Sequence, residues 1–341
     1  CPTDEDGEPT ETYLEYISLM YNPEVAKVAR DLEIFPRTIS LRKLAKKHGK
    51  SKDEIKALLE SAVKGGFISQ LGGRYSLASP LMIHDAPFIL KENLERPDIK
   101  NLADLSRKYF EQEKYYRVWE TSRRGNPRMR VLTVSEEIEP KDEIVPLEEV
   151  YHLIDQNEDF ALIPCPCRQR KEIEGDRKCK GKYPIHNCIL LGPVAKGLLE
   201  LEDDAVQKAD KETVKELTRE AAELGLVHAT DNYPEATILC ACCECCCGTI
   251  GGLTRYDNPR AIARANYVSV IDPVKCVGCE TCIDRCKFGA ITVDDVAVVD
   301  KKKCVGCGLC AVTCPQDAIK MRREEREEIP GLENRKSPIT D

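Results

Sequence analysis

The chain has 341 residues, 32% of them charged, and a formal net charge of −8. This length allows two or three domains, and no run approaches the ~18 apolar residues that a membrane helix requires. We therefore expect a soluble, cytoplasmic protein and exclude a membrane-spanning one. Nineteen cysteines predict an anaerobic or strongly reducing interior that keeps them as thiols.

The N-terminal part of the sequence predicts an acidic leader followed by short helices. Residues 1–19 carry acidic side chains and no basic one, which indicates a frayed segment. Ser51 and Glu54 match a capping box, and Gly65-Gly66 would end the helix that it opens. Apolar positions recur at helical spacing in three segments, which are Val25 to Ile34, Leu41 to Ala45 and Ile55 to Val63.

Two short apolar runs, at residues 67–69 and 75–77, flank Gly72-Gly73 and predict a β-hairpin. With the preceding helices, this layout over residues 20–80 resembles a winged helix-turn-helix domain. The segment holds twelve Lys or Arg and six Asp or Glu, which favours phosphate contact. However, the helix that would read bases begins with acidic residues and exposes no Arg, Asn or Gln. We therefore expect protein docking or scaffolding, with DNA binding as the less favoured alternative.

Residues 81–160 are predicted as a helical and connecting region. Asn101 to Arg117 and Pro146 to Ile154 have helical patterns, and a polar connector is expected at Glu137 to Val145. Phe160 to Ile163 predicts a buried strand that leads into the first group of cysteines.

Residues 161–265 form a cysteine-rich region that we expect to be α/β. Cys165 and Cys167 stand in a CPCR turn, Cys179 follows after eleven residues, and Cys188 follows after eight more. Four thiolates are enough for one cubane iron–sulfur cluster, and zinc bound by four thiolates is the alternative.

A helical stretch is predicted from Asp203 to Leu224, with a cap at Asp210 and an end at Gly225. Six cysteines then crowd into eight positions, namely Cys240, Cys242, Cys243, Cys245, Cys246 and Cys247. They cannot all ligate one metal from one short loop. The ten cysteines from 165 to 247 could hold two further cubanes with two thiols to spare, or one further cluster with a redox-active thiol pair.

The C-terminal cysteines form a tandem repeat. CVGCETCIDRC at residues 276–286 and CVGCGLCAVTC at residues 304–314 share the spacing C-x2-C-x2-C-x3-C, and a constant shift of 28 residues superimposes them. This duplication, with its flanking apolar runs, predicts two small hairpins related by the repeat. Disulfides would need an oxidising compartment, and zinc leaves the third and fourth cysteine of each run unexplained.

Residues 266–322 resemble the bacterial ferredoxins that carry two [4Fe-4S] clusters. The resemblance implies that the fourth cysteine of each run ligates the cluster of the other run. One ligand set would be Cys276, Cys279, Cys282 and Cys314, and the other Cys304, Cys307, Cys310 and Cys286. Lys287 departs from the pattern, because a second proline is usual there; it could raise the potential of that cluster or be a solvated loop residue.

The predicted fold class is α+β, with a winged helix-like N-terminal domain, the cysteine-rich region, a ferredoxin-like (βαβ)2 domain and a charged tail at residues 323–341. The CPCR and CxCCxCCCG patterns resemble multi-cluster ferredoxin-like proteins of anaerobes. We therefore predict two [4Fe-4S] clusters, with one or two more in the central region.

The predicted function is electron transfer, either as a carrier or as a subunit that serves a partner oxidoreductase. No dinucleotide-binding or acid–base pattern indicates an enzyme that acts alone. The alternative is a redox-sensing transcriptional regulator that binds DNA. In a third interpretation the N-terminal domain is an assembly module for a flavin or molybdenum/tungsten enzyme.

Overall fold

A computed structural model of the protein describes residues 2–4, 6–34, 37–122, 125–134, 150–233, 236–256, 258–324 and 326. The chain divides into two compact units. Unit 1 comprises Cys1–Tyr116, Pro164–Arg177 and Gly197–Gln207, and unit 2 comprises Arg117–Ile163, Lys178–Lys196 and Lys208–Asp341. Within the described ranges, no helix combines the length and the hydrophobicity needed to cross a bilayer.

The structure is mixed helix and sheet. The helices are α1 Glu11–Ser18, α2 Pro23–Ala29, α3 Leu41–His48, α4 Lys52–Lys64, α5 Pro80–Asp85, α6 Lys91–Leu94, α7 Ile99–Arg107, α8 Tyr116–Glu120, α9 Val150–Asp155, α10 Pro166–Glu174, α11 Gly192–Leu199, α12 Lys211–Leu224, α13 Gly248–Thr254, α14 Thr281–Arg285 and α15 Leu309–Val312. The strands are β1 Ile39–Ser40, β2 Ile68–Leu71, β3 Arg74–Leu77, β4 Met129–Val131, β5 Phe160–Pro164, β6 His186–Leu191, β7 Gln207–Ala209, β8 Val227–Asp231, β9 Ile238–Cys242, β10 Tyr267–Ile271, β11 Ile291–Val293, β12 Ala297–Val299 and β13 Ile319–Arg323.

Unit 1 contains the predicted short helices and the hairpin. Both halves of the capping box form at α4, because the Ser51 hydroxyl accepts the Glu54 N–H while the Glu54 carboxylate accepts the Ser51 N–H. Strands β2 and β3 pair antiparallel across Gly72 and Gly73, which both have positive φ, as tight hairpin turns require. These two predictions are confirmed. Strand β1 pairs with β3, so the sheet order is β1-β3-β2.

The expectation of a frayed leader is wrong for residues 11–18. They form α1, and the Thr10 hydroxyl caps its first turn. Tyr16 is fully buried, packs edge-on against Tyr109 with ring centroids 5.0 Å apart, and donates its hydroxyl to the Ile83 carbonyl. Aromatic packing, which the acidic composition masked, therefore orders this segment.

The helix expected over residues 101–117 is interrupted. A π-helical turn at Lys108–Gln112 follows α7, and Lys114 adopts φ +57°, which a right-handed helix cannot continue through. The π turn buries Tyr109 and Phe110. The predicted connector at residues 137–145 lies outside the described residues. So does the start of the next predicted helix, whose described part is α9.

Unit 2 is built on a six-stranded sheet in the order β4-β8-β9-β6-β5-β7. Helix α12 is capped by Asp210, whose carboxylate accepts the Thr213 N–H at 2.8 Å, and it ends at Gly225 in the left-handed region. The residues just before α12 form β7 rather than helix. The predicted strand at residues 160–163 is present as β5, fully buried at Phe160.

The repeat has the element order β10-α14-β11-β12-α15-β13. Strands β11 and β12 form a hairpin, but β10 pairs antiparallel with β13, the last strand of the repeat, through Tyr267 opposite Arg323. The expectation of two hairpins is therefore half wrong. Pairing β10 with β13 satisfies the backbone hydrogen-bonding groups at both ends of the repeat in one small sheet.

Candidate metal centres

The first site lies in the repeat. Four cysteines line a single pocket between α14 and the end of α15, and we call them site I, consisting of Cys276, Cys279, Cys282 and Cys314. Backbone amides point at two of the sulfurs, since Ala297 N–H lies 3.3 Å from Cys276 Sγ and Ala318 N–H lies 3.3 Å from Cys314 Sγ. Such donors stabilise negative charge on sulfur.

The second site uses the other half of the repeat. Site II consists of Cys304, Cys307, Cys310 and Cys286, whose thiols interact electrostatically with one another. Ala290 N–H lies 3.2 Å from Cys286 Sγ, and the Ser269 hydroxyl lies 3.1 Å from Cys310 Sγ. Burial raises the pKa of Cys310 to about 12. Gly306 is required in this loop, because a Cβ there would stand 2.4 Å from the Tyr267 carbonyl.

The two sites of the repeat differ in exposure although their loops are related by the duplication. Cys279 and Val277 of the site I loop are exposed, whereas Cys304 and Cys310 of site II are each 7% exposed. Site II faces the sheet of unit 2, because Val134 N–H bonds to the Cys307 carbonyl. Site I therefore faces solvent, and site II faces the interior of unit 2.

A third site lies in the central region of unit 2. The thiols of four cysteines lie within 4.8 Å of one another, and we call them site III, consisting of Cys179, Cys243, Cys245 and Cys246. Cys179 Sγ is 3.6 Å from Cys246 Sγ, although 67 residues separate them. Interaction with the neighbouring thiols, together with burial, raises the pKa of Cys245 to about 12.

This arrangement differs from the grouping of Cys165, Cys167, Cys179 and Cys188 that the order of the sequence suggests. The structure places Cys179 with the dense CCECC run and Cys188 on β6. Cys165 and Cys167 lie in unit 1 at the start of α10. A hydrogen bond with Cys167, together with burial, raises the pKa of Cys165 well above its ordinary value.

Lys287 joins site II to site III. Its ammonium lies 3.3 Å from the carboxylate of Glu244, and the lysine side chain is 9% exposed. Lys287 follows Cys286 of site II, and Glu244 stands between Cys243 and Cys245 of site III. The solvated alternative for Lys287 is therefore wrong.

Sequence reasoning missed the partner of Lys287 and a second cation, Arg255. The Arg255 guanidinium donates to the carbonyls of Cys245 and Cys247 and fixes the cysteine-rich loop. The signal that could have found Lys287 was the departure from proline at that position, since a buried lysine requires a counter-charge. No comparable signal marks Arg255 in the sequence.

The donor sets fit iron–sulfur clusters. All three sites offer thiols, the eighteen described cysteines are in the thiol form, and amide or hydroxyl donors point at sulfurs in sites I and II. Thiolates are the ligands that such clusters require, and hydrogen bonds to their sulfurs are typical.

Comparison with known families supports this interpretation. A family model described as a 4Fe-4S dicluster domain matches residues 269–321, which confirms the ferredoxin-type domain expected at residues 266–322. No curated protein and no solved structure matches the chain. The match and the four-thiol site of the central region together indicate iron–sulfur electron transfer.

Proposed function

We propose that the protein is a multi-cluster electron-transfer protein that works with a partner oxidoreductase. Sites I and II would each hold a [4Fe-4S] cluster, with Cys314 and Cys286 exchanged between the two halves of the repeat. Site III would hold a third [4Fe-4S] cluster. Clusters with four cysteine ligands have no open iron position, so their chemistry is one-electron transfer.

The observation that carries this proposal is the packing that connects sites I and II with the central cysteine-rich loop within unit 2. Cysteines of sites I and II share one apolar cluster that includes Cys282, Cys310 and Ile291. Cys307 of site II packs against a second cluster that contains Cys242 and Cys247 of the central loop. Tight, water-poor packing between neighbouring clusters suits electron transfer, because it keeps the centres close and limits solvent reorganisation.

Site I is the proposed docking point for the redox partner. Cys279 is exposed, and Val274 and Val277 on the same loop are 92% and 62% exposed. Exposed acidic residues surround this loop, including Glu280 and Asp284. A partner with an apolar centre and a basic rim would complement this surface, and salt would then slow the encounter.

Residues 20–80 are proposed to be a winged helix-type domain that serves in assembly. The sheet order β1-β3-β2 and the glycine-tipped hairpin support the type of domain. The exposed face of α4 carries lysines alongside Asp53, Glu54 and Glu60, and a Lys64–Glu60 ion pair partly neutralises it. Such a face suits a protein partner better than base edges.

Anaerobic purification of the full chain with iron, sulfide and zinc analysis tests the proposal. We expect iron and sulfide in equal amounts, visible charge-transfer absorption, and reversible bleaching by a low-potential donor. Zinc in place of iron, or a colourless protein, would exclude it. A gel shift under the same conditions tests the regulator alternative, since tight and salt-sensitive binding to a defined operator would favour that function instead.

A further inference from the structure

Four cysteines outside sites I, II and III meet on one face of the unit 2 sheet at β9 and β6, its two central strands. Strands β6 and β9 pair antiparallel, with Ile189 opposite Leu239. The same register places Cys188 opposite Cys240. Directly opposed residues of an antiparallel pair project from the same face with Cβ atoms about 5 Å apart. Strand pairing therefore brings together two thiols that are 52 positions apart in the sequence.

The same face carries a third thiol. Side chains alternate along a strand, so Cys242 projects from β9 on the side of Cys240, and Ala241 projects from the other side. The packing agrees: Cys240 and Cys242 contact one apolar cluster, and Ala241 contacts another. The Cys240 thiol interacts with the thiols of both Cys188 and Cys242.

The fourth thiol comes from the N-cap of α13. Cys247 belongs to the same apolar cluster as Cys242, and its sulfur accepts the Ile250 N–H at 3.5 Å. It also interacts electrostatically with the Cys240 thiol. Arg255 donates to the Cys247 carbonyl at 2.8 Å, which places a cation beside the loop. Cys242 and Cys247 are buried, so uncompensated thiolates would be costly here, whereas metal coordination accounts for them.

We propose that a fourth [4Fe-4S] cluster is bound by these residues, which we call site IV, consisting of Cys188, Cys240, Cys242 and Cys247. The inference rests on the proposed function, which it extends by one centre. Sites III and IV then divide the dense cysteine run between two apolar clusters, one that Ala241 of β9 contacts and one that Cys240 and Cys242 contact. Cys307 of site II packs against the apolar cluster that Cys240, Cys242 and Cys247 of site IV also contact. Electrons would therefore pass from site II to site IV through this shared apolar core.

The experiment compares single and double variants of the full chain after anaerobic reconstitution with ferrous iron and sulfide. Cys242→Ser should lower the iron and sulfide content by about four atoms each per chain. Cys245→Ser in site III should do the same, and the double variant should lose about eight. Ala241→Ser places the same hydroxyl on the opposite face of the strand, and we expect it to retain the full content.

The double variant distinguishes site IV from a single shared centre. If the central cysteines held one cluster, each single variant would lose the same four atoms and the double variant would lose no more, which would overturn the proposal. Zinc bound in place of four of the irons in the parent protein would also overturn it. If Cys242→Ser fails to fold, Cys240→Ser, at a half-buried position, carries the same test. If the parent protein itself lacked the EPR signals of sites I and II, the proposed function would be wrong, and this outcome is distinct from the loss of site IV alone.

Discussion

The repeat and the central region both assemble four-thiol sites, but they do so by different physical means. In the repeat, three cysteines of each site come from one tight loop, and Cys314 or Cys286 supplies the fourth. In the central region, Cys179 reaches site III from 64 residues before Cys243, so each site depends on the surrounding fold. We conclude that a local sequence motif brings together most of the thiols of each site in the repeat, whereas the tertiary structure brings them together in the central region.

The largest expected effect concerns the exchanged ligands of the repeat. Cys314→Ser should abolish the cluster at site I and leave site II intact, and Cys286→Ser should do the reverse, each with a loss of about four irons per chain. The measurement is iron analysis combined with EPR of the reduced protein, in which the magnetic coupling between the two clusters should disappear. If Cys314→Ser instead abolished the cluster at site II and left that at site I, the proposed pairing would be wrong.

This contrast explains how far the sequence could predict the sites. The spacing of the repeat predicts its loops, because the chemistry of a cubane restricts how one loop can supply thiolates. The grouping of the central cysteines follows from the register of β6 against β9 and from the turn that carries Cys179. A one-residue change of register would move every side chain to the other face, and spacing along the chain does not contain that information.

The same reasoning applies to the fold. Local signals such as the Ser51 capping box and the Asp210 and Gly225 ends of α12 were predicted correctly, since they depend on residues within one turn. The pairing of β10 with β13 and the burial of Tyr16 were not predicted, because both depend on partners at least 48 positions away in the sequence.

The next largest effect is a pH dependence in the central region. Burial raises the pKa of Glu120 to about 8, and its carboxyl accepts a hydrogen bond from Asn258. A Cβ on Gly252 of α13 would stand 2.7 Å from this carboxyl, so Glu120 lies against the helix that follows Cys247. In the unfolded chain the Glu120 carboxyl has the ordinary glutamate pKa of about 4.3. Between these values the folded state holds a proton that the unfolded state lacks.

Stability should therefore fall as the pH rises from about 4.3 to about 8, by at most about 1.4 kcal/mol per pH unit from this group. Glu120→Gln mimics the protonated carboxyl and should flatten this part of the profile. Urea midpoints of the cluster-loaded protein at several pH values between 5.5 and 8 provide the measurement. Parallel profiles for the variant and the parent would show that Glu120 does not titrate in this range.

Variants of Lys287 test whether the repeat and the central region are electrostatically coupled. Removing its charge with Lys287→Gln should lower the reduction potential of site II, since the cation favours the more negative reduced state. A unit charge at ~10 Å with an effective dielectric of ~20 contributes about 1–2 kcal/mol, which is about 40–90 mV for one electron. Glu244→Gln should shift the potential upward, and the double variant should return it towards the parent value. EPR-monitored redox titration would detect each shift, and unchanged potentials would mean that the pair is structural only.

The smallest expected effect concerns the difference between the two halves of the repeat. The Ser269 hydroxyl lies 3.1 Å from Cys310 Sγ of site II and would donate to it once that sulfur is a deprotonated ligand. The shift of 28 residues places Ala297 at the equivalent position beside site I. A hydrogen bond to sulfur, which is a weak acceptor, is worth roughly 0.5–1.5 kcal/mol, which is about 20–65 mV for one electron. Ser269→Ala should therefore lower the potential of site II and leave that of site I unchanged. Thr281→Ala, beside the exposed Cys279 of site I, is the matched control, because water can replace its hydroxyl. Equal shifts in the two variants would show that solvent, rather than the buried serine, sets the difference between the halves.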